Sequence, residues 1–181
     1  LLVGFCAGTW LVSNDIPSGF IPNEDQGTFY AIVQTPPGAT LERTDDIVDQ
    51  LQKIAGTIDG IKSVSSLAGF EILSEGTGAN TGTCLINLKD WTERKHSVKE
   101  IMAELEEKVK DIKGATIEFF PPPAVPGYGA AGGFELRLLD KSGSGNYKMM
   151  EKVNNDFVAA LNKRPELSSV FSFYSASFPQ Y

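Results

Sequence analysis

Three residues have the types that acid-base chemistry would need. Glu24 and Asp25 form an adjacent acidic pair, and His96 is the one histidine of the chain. General acid-base catalysis requires side chains that converge on one atom, whereas adjacent residues in a turn usually point apart. We therefore expect Glu24 and Asp25 to be structural residues. His96 follows the polar run 92–95, and we expect it to be a solvated turn residue.

Nucleophilic and metal chemistry lack the accompanying residues. Ser63, Ser65 and Ser66 lie in a strand-like run without the Gly-x-Ser-x-Gly elbow of a hydrolase. Cys6 and Cys84 lie in segments of different character and form no Cys-x-x-Cys pair, so we predict neither a disulfide framework nor a structural zinc site. The sequence thus predicts no catalytic residue, no metal site and no cofactor.

A glycine motif at 127–132 matches the Gly-x-Gly-x-x-Gly pattern of dinucleotide-binding proteins. In those proteins a strand precedes the motif and a helix begins within it. Here a proline-rich break precedes the motif and a strand-like run follows it. We therefore predict a linker between two folded units.

Composition excludes some classes of partner. With 181 residues, of which 41% are hydrophobic, the chain can bury the core of one large domain or two small ones. The formal charge of −7 is spread along helical stretches, and lysine and arginine form no cluster. Because phosphate binding needs basic residues on one face, we expect no nucleic-acid partner.

Residues 1–12 are almost wholly apolar and too few to span a bilayer alone, which takes about 20 residues. They are typical of the end of a longer membrane helix, and a buried helix or strand of a soluble protein is the alternative. Because the chain starts at Leu1 without a basic leader region, we expect it to be a fragment of a longer protein.

Hydrophobic periodicity predicts six elements between residues 28 and 120. A helix follows Thr40, a good N-cap, and another follows the capping box of Ser97 and Glu100. The predicted strands are 28–35, 61–67, 83–88 and 115–120. The order predicts an α+β, ferredoxin-like split βαβ fold, βαββαβ, with both helices on one face of an antiparallel sheet.

A second, truncated βαβ unit is predicted after residue 132. Its strand is 133–139, its helix 147–162 and its last strand 168–173. Matching residues of the two units lie 105 or 106 positions apart, as Phe29 and Phe134 or Val64 and Val170 do. An internal duplication is therefore a hypothesis for this chain.

The glycine-rich run from Gly69 to Gly82 predicts a loop. It carries Phe70, Ile72 and Leu73 between glycines, so large apolar side chains would lie on a pliant backbone. Such a loop is typical of a segment that repacks around varied hydrophobic ligands. An ordinary Ω-like loop that buries these side chains is the alternative.

Several motifs, in this order and at these spacings, closely resemble the hydrophobe/amphiphile efflux branch, the AcrB and MexB type, of the resistance-nodulation-division (RND) transporters. The resemblance covers essentially the whole chain. The motifs are Phe20-Ile-Pro-Asn-Glu-Asp-Gln-Gly27, Pro37-Gly-Ala-Thr40, Asn80-Thr-Gly82, Leu88-Lys-Asp-Trp91 and Pro123-Ala124.

The resemblance implies three segments. Residues 1–22 are the end of a transmembrane helix and its exit, 23–126 a first porter subdomain, and 127–181 a linker and the start of a second, incomplete one. The family is multi-pass in the bacterial inner membrane, with this part mainly periplasmic, and exports amphiphilic drugs, dyes, detergents or bile salts using proton influx. Its partners are two further copies in a homotrimer, a periplasmic adaptor (membrane fusion) protein and an outer-membrane channel protein.

The resemblance also implies site residues. Glycines of the family's switch loop correspond to Gly69, Gly76, Gly78 and Gly82, and Phe70 is the clearest pocket aromatic. The other implied substrate-binding positions are Ile72 and Leu73 in the same loop, Ser65 and Leu85 where the family has phenylalanines, and Ile32, Phe120 and Pro122 in an outer pocket. The proton-relay residues lie outside this chain.

Other functions share the predicted fold. A ferredoxin-like module that binds a small ligand or a metal for regulation is one alternative, and a heavy-metal exporter or a protein-translocation relative of the same superfamily is another. An acylphosphatase-like enzyme would need an arginine and asparagine constellation at an anion-binding loop, which the sequence lacks.

Overall fold

Alternating and helical patterns of apolar residues give this chain helices and strands in one mixed α+β arrangement, as predicted. The structure is a computed structural model, and it describes residues 2–15, 24–125, 129, 131–143, 145–167 and 169–177. The elements are α1 (Leu2–Asp15), β1 (Thr28–Gln34), α2 (Leu41–Ala55), β2 (Ile61–Glu71), β3 (Gly76–Leu88), α3 (Val98–Val109), β4 (Thr116–Phe120) and α4 (Tyr147–Leu161).

The four strands form one antiparallel sheet in the order β2-β3-β1-β4. Together with α2 and α3 they have the element order β-α-β-β-α-β that the sequence predicts. Side chains alternate between the two faces of a strand, so Phe29, Ala31 and Val33 of β1 point to one face. That face carries the core.

Both predicted helices pack on the core face. In α2 the buried residues Ile47, Val48 and Leu51 recur at helical spacing, and Thr40 caps the helix by accepting a hydrogen bond from the Arg43 amide. The capping box predicted for α3 is present: Ser97 Oγ accepts from the Glu100 amide, and the Ser97 amide donates to the Glu100 carboxylate. The core joins these helices to Phe29, Cys84, Ile86 and Phe119 of the sheet.

The loop predicted over residues 69–82 is wrong, because these residues form a bulged β-hairpin. Strand β2 continues through Phe70, which pairs with Thr77, and β3 begins at Gly76. The pairing shifts register between Ala68 and Phe70, and Gly69 has a φ of +89°, a conformation that glycine adopts without steric cost. The glycines therefore shape a hairpin.

The second unit is only partly as predicted. The helix is confirmed as α4 (Tyr147–Leu161), but residues 133–139 and 169–173 form no strand, so both strand predictions are wrong for the described residues. A strand needs a hydrogen-bonded partner, and the four-stranded sheet ends at β4. Leu136 accordingly is 60% exposed.

The apolar N-terminal segment forms helix α1 (Leu2–Asp15). Phe5, Trp10 and Val12 are more than half exposed. In the described residues, every helix is too short or too polar to cross a bilayer. The predicted exit through Pro17, Gly19 and Pro22, half of the glycine motif at 127–132 and the predicted boundaries at 22 and 126 lie outside the described residues.

Candidate functional site

The sheet face opposite α2 and α3 brings together half of the predicted binding residues. We call it the open face. Residues paired directly across antiparallel strands point to the same side, so the strand register defines its members. They are Ser63, Ser65 and Leu67 of β2, Thr81, Thr83, Leu85 and Asn87 of β3, Thr28, Tyr30, Ile32 and Gln34 of β1, and Thr116, Glu118 and Phe120 of β4.

One row of the open face crosses all four strands. Ser65 pairs with Leu85, Leu85 with Tyr30, and Tyr30 with Phe120. The rings of Tyr30 and Phe120 have their centroids 5.7 Å apart and are tilted by 34°. Three of the four residues in this row were predicted from the sequence as binding residues.

A second row lies beside the first. It consists of Leu67, Thr83, Ile32 and Glu118, in the strand order β2-β3-β1-β4. Side chains in neighbouring rows of one face lie within reach of each other. The two rows therefore form a mainly apolar surface with hydroxyl groups and one carboxylate.

The hairpin tip is held against the second row by Thr83. Its hydroxyl donates to the carbonyl of Phe70 at 2.9 Å and accepts from the amide of Ile72 at 3.2 Å. These bonds place the backbone of both predicted loop residues next to the open face. The side chains of Phe70, Ile72 and Leu73 are half-buried.

Exposure divides the predicted residues into an accessible part and a sealed part. Ser65 is exposed, and Leu85 and Pro122 are half-buried. Ile32 is 0% exposed and Phe120 4%. Pro122 lies beyond the end of β4, so the strand register does not place it on the open face.

Two clefts lie at the β4 side of the sheet. The first, of about 370 Å³, is lined by Gln34, Thr116, Phe173 and their neighbours. The side-chain amide of Gln34 donates a hydrogen bond to the backbone carbonyl of Phe173 at 3.5 Å. The second, of about 450 Å³, lies between α3 and β4 and is bordered by Glu118. None of the eight predicted binding residues lines either cleft.

The predicted switch-loop glycines occupy different places. Gly69 is the bulge residue, Gly76 begins β3, and Gly78 lies within β3. Gly82 points to the core face, where a methyl group on it would lie 2.8 Å from Cγ2 of Val48. The close packing of α2 on β3 therefore requires a glycine at this position.

Asp25 has the structural role expected from the sequence. It accepts hydrogen bonds from the side chain of Arg94 at 2.5 Å, the amide of Gly27 at 2.9 Å and the amide of Val98 at 3.0 Å. Burial by itself raises the pKa of Asp25, but these donors outweigh it and bring the pKa down to about 2. Asp25 thus ties the start of β1 to α3 as a carboxylate.

Glu24, His96 and Cys84 are other residues that were considered for chemistry from the sequence. Glu24 is exposed, and so is His96, as expected for a turn residue. Cys84 is fully buried in the core, and burial raises the pKa of its thiol to about 12. Glu24 and His96 are therefore surface residues, and Cys84 is a core residue.

Four residues of the two rows were missed from the sequence: Tyr30, Leu67, Thr83 and Glu118. Tyr30 lies in the first row and the other three lie in the second. The alternation of β1 and β4 contained the signal, because Tyr30 is two residues from Ile32 and Glu118 two residues from Phe120.

The sequence profile of the AcrB/AcrD/AcrF family matches residues 1–181, which is the whole chain. The chain belongs to the AcrB/AcrD/AcrF family. The predicted resemblance to RND efflux transporters is thereby confirmed.

Members of this family with curated names include pumps for solvents and drugs. The toluene efflux pump membrane transporter TtgB of Pseudomonas putida is 36% identical over 176 residues, which are 95% of this chain and 16% of the relative. The solvent-resistant pump membrane transporter SrpB of P. putida is 32% identical over 168 residues, 90% of this chain and 16% of the relative. The multidrug resistance protein MdtF of Escherichia coli is 34% identical over 154 residues, 82% of this chain and 15% of the relative.

This chain therefore corresponds to about a sixth of the length of these AcrB/AcrD/AcrF relatives. The names of TtgB and SrpB describe pumps, and that of MdtF describes multidrug resistance.

Proposed function

We propose that the chain is the periplasmic porter portion of a proton-driven multidrug efflux pump of the bacterial inner membrane, and that its open face binds amphiphilic substrates on their way to an outer-membrane channel. In this proposal residues 1–22 end a membrane helix, 23–126 form the first porter subdomain, and 127–181 form a linker and part of the second.

The row Ser65–Leu85–Tyr30–Phe120 carries this proposal. Residues that lie far apart in the sequence meet on one surface because of the strand register. Apolar side chains with a few hydroxyl groups suit an amphiphile, since each Å² of apolar surface removed from water contributes about 25 cal/mol. The names of TtgB, a toluene efflux pump, and SrpB, a solvent-resistant pump, support hydrophobic substrates.

Exposure of the face indicates how transport would use it. Ile32 and Phe120 are sealed from solvent, whereas Ser65 is exposed and Leu85 half-buried. Because Ile32 and Phe120 are buried, a substrate could contact them only if the atoms that cover their side chains moved. Such a face binds a substrate with different affinity in its open and closed arrangements, and this difference is what a transport cycle requires.

Helix α1 supports the membrane location. A helix that is apolar on all sides belongs in a protein interior or in a membrane. The side chains of residues 2–13 are exposed instead, with Leu2 at 78% and Phe5 at 75%. We propose that lipid and other membrane helices cover it. The homotrimer, the adaptor protein and the channel protein are likewise proposed from the family.

Phe119 and Phe120 provide a matched pair of variants that tests the binding role. They are adjacent and both buried, at 8% and 4% exposure, but Phe119 packs in the core against Phe29 while Phe120 lies on the open face. Each Phe→Ala change should destabilise the protein by about 3–5 kcal/mol. Only Phe120→Ala should also remove a contact to substrates.

The assay is resistance conferred by the complete pump in cells that lack other pumps, with the membrane level of each variant measured. We expect Phe120→Ala to lower resistance to several amphiphiles about fourfold or more beyond Phe119→Ala at equal protein level. Leu85→Ala, which alters a half-buried residue of the same row, is the second variant if Phe120→Ala does not accumulate. Equal resistance of the Phe119 and Phe120 variants, with an unchanged Leu85→Ala pump, would refute the binding role.

A further inference from the structure

Charge is almost absent from the open face. Among the residues that the strand register places on the open face, Glu118 is the one with a formal charge at neutral pH. The others are serine, threonine, asparagine, glutamine, tyrosine or apolar residues. It lies opposite Ile32 on β1 and two residues before Phe120 on β4. A single carboxylate therefore lies beside the sealed, most apolar part of the face.

The surroundings of Glu118 leave its charge uncompensated. Its side chain is half-buried, and within the described parts of the chain no donor or cation bonds to it. Burial raises the pKa of Glu118, and the nearby carboxylate of Glu106 raises it further. Lys110 lines the same cleft, but it forms an ion pair with Glu107 on its own helix.

Glu118 also borders the cleft between α3 and β4, on the helix side of the sheet edge. The volume of this cleft is about 450 Å³, and Val109, Ile112, Ile117 and Phe119 contribute to its lining. A carboxylate in partly desolvated surroundings interacts more strongly with a cation than a carboxylate in water does. An organic cation would relieve the electrostatic cost of Glu118, whereas a neutral solute would leave it in place.

We propose that Glu118 is a specificity-determining residue for cationic amphiphiles: its carboxylate binds the positive group, and the apolar part of the molecule lies on the open face beside Ile32 and Phe120. This inference depends on the proposed function and adds the charge class of the substrate. The alternative is that Glu118 is a charge on an edge strand that only prevents strand pairing with other chains.

The test measures binding of two fluorescent probes to the complete, purified pump in detergent. Rhodamine 6G is the cationic probe and Nile red the neutral probe, and the quantity of interest is the ratio of their dissociation constants. We expect Glu118→Gln to weaken rhodamine 6G relative to Nile red by about tenfold, because the variant keeps the size of the side chain and removes its charge. Glu118→Asp should keep the ratio within about threefold of the unaltered pump.

Glu93→Gln is the matched control, since Glu93 is an exposed residue outside the open face and its change removes one negative charge as well. An unchanged ratio in Glu118→Gln, or an equal change in Glu93→Gln, would overturn the inference. Phe120→Ala separates this failure from a failure of the proposed function. If Phe120→Ala weakens both probes while Glu118→Gln leaves their ratio unchanged, only the charge selectivity is refuted; if Phe120→Ala weakens neither, the binding face itself is refuted.

Discussion

Replacing Asp25 with asparagine removes the negative charge from a carboxylate that accepts three hydrogen bonds. The bonds come from Arg94, Gly27 and Val98, and the Arg94 side chain is only 3% exposed. The pKa of Asp25 falls from 3.8 to about 2, although burial opposes the change. At about 1.4 kcal/mol per pKa unit this corresponds to about 2.5 kcal/mol. Because the Asp25 side chain is 31% exposed, we expect about 2 kcal/mol after solvent screening.

The pH dependence has a definite sign. A folded-state pKa below the unfolded value stabilises the protein at pH values above the unfolded pKa, and this contribution is lost as the pH falls through the folded pKa. For Asp25 that window runs from 3.8 down to about 2. Asp25→Asn should therefore lower the free energy of unfolding by about 2 kcal/mol at pH 7, by about half as much at pH 3 and by little near pH 2.

Urea unfolding, followed by circular dichroism at pH 7, pH 3 and pH 2, measures the change in the free energy of unfolding. Asp59→Asn is the control, because Asp59 also pairs with a lysine, Lys89, but its side chain is 80% exposed. We expect no measurable change in that variant. A loss below about 0.5 kcal/mol in Asp25→Asn at pH 7, or a loss of equal size at pH 7 and pH 2, would refute the role assigned to Asp25.

Two further predictions concern the core. Gly82→Ala should lower the free energy of unfolding by about 1–3 kcal/mol, because the new methyl group would lie 2.8 Å from Val48 Cγ2. Gly56→Ala, whose methyl group would meet its nearest atoms at 3.5 Å, should be close to neutral in the same urea titration, and similar losses in both would contradict this packing. A maleimide at pH 8 should leave Cys84 unreacted until urea unfolds the protein, since burial raises the pKa of the Cys84 thiol to about 12. Mass spectrometry of the labelled protein checks this, and rapid labelling of Cys84 in the folded state would contradict it.

Helices and core strands were predictable because their patterns are local. Apolar residues at helical spacing marked the buried side of α2, and the capping box at Ser97 marked the start of α3. These signals depend on a few neighbouring residues, so sequence alone revealed the βαββαβ order.

The hairpin at 69–82 and the second unit depended on contacts that local patterns do not show. Glycine-rich sequence indicates a loop, but here Phe70 pairs with Thr77 and Thr83 fixes the tip. Residues 133–139 have a strand-like pattern, yet a strand forms only when a partner is available. The local pattern alone therefore predicted a loop at 69–82, where a hairpin forms, and a strand at 133–139, where none forms.

The site, too, was predictable only in part from the sequence. The family resemblance supplied Ser65, Leu85, Ile32 and Phe120, and the strand register then placed all four on one face. Tyr30 and Glu118 became visible only through their cross-strand partners. The relation of Pro122 and the loop residues to that face likewise required the structure.

Ser65 and Ser66 allow the most direct measurement of the central claim, that the open face contacts substrate. They are adjacent on β2, but Ser65 points to the open face, whereas Ser66 points to the helices and donates a hydrogen bond to Gln52. Each is replaced by cysteine in the complete pump lacking other reactive cysteines, and the rate of maleimide labelling is measured with and without a saturating amphiphile. We predict that the amphiphile slows labelling at Ser65→Cys about threefold or more and leaves Ser66→Cys unchanged. Unchanged labelling at Ser65→Cys, or equal slowing at both positions, would contradict the account.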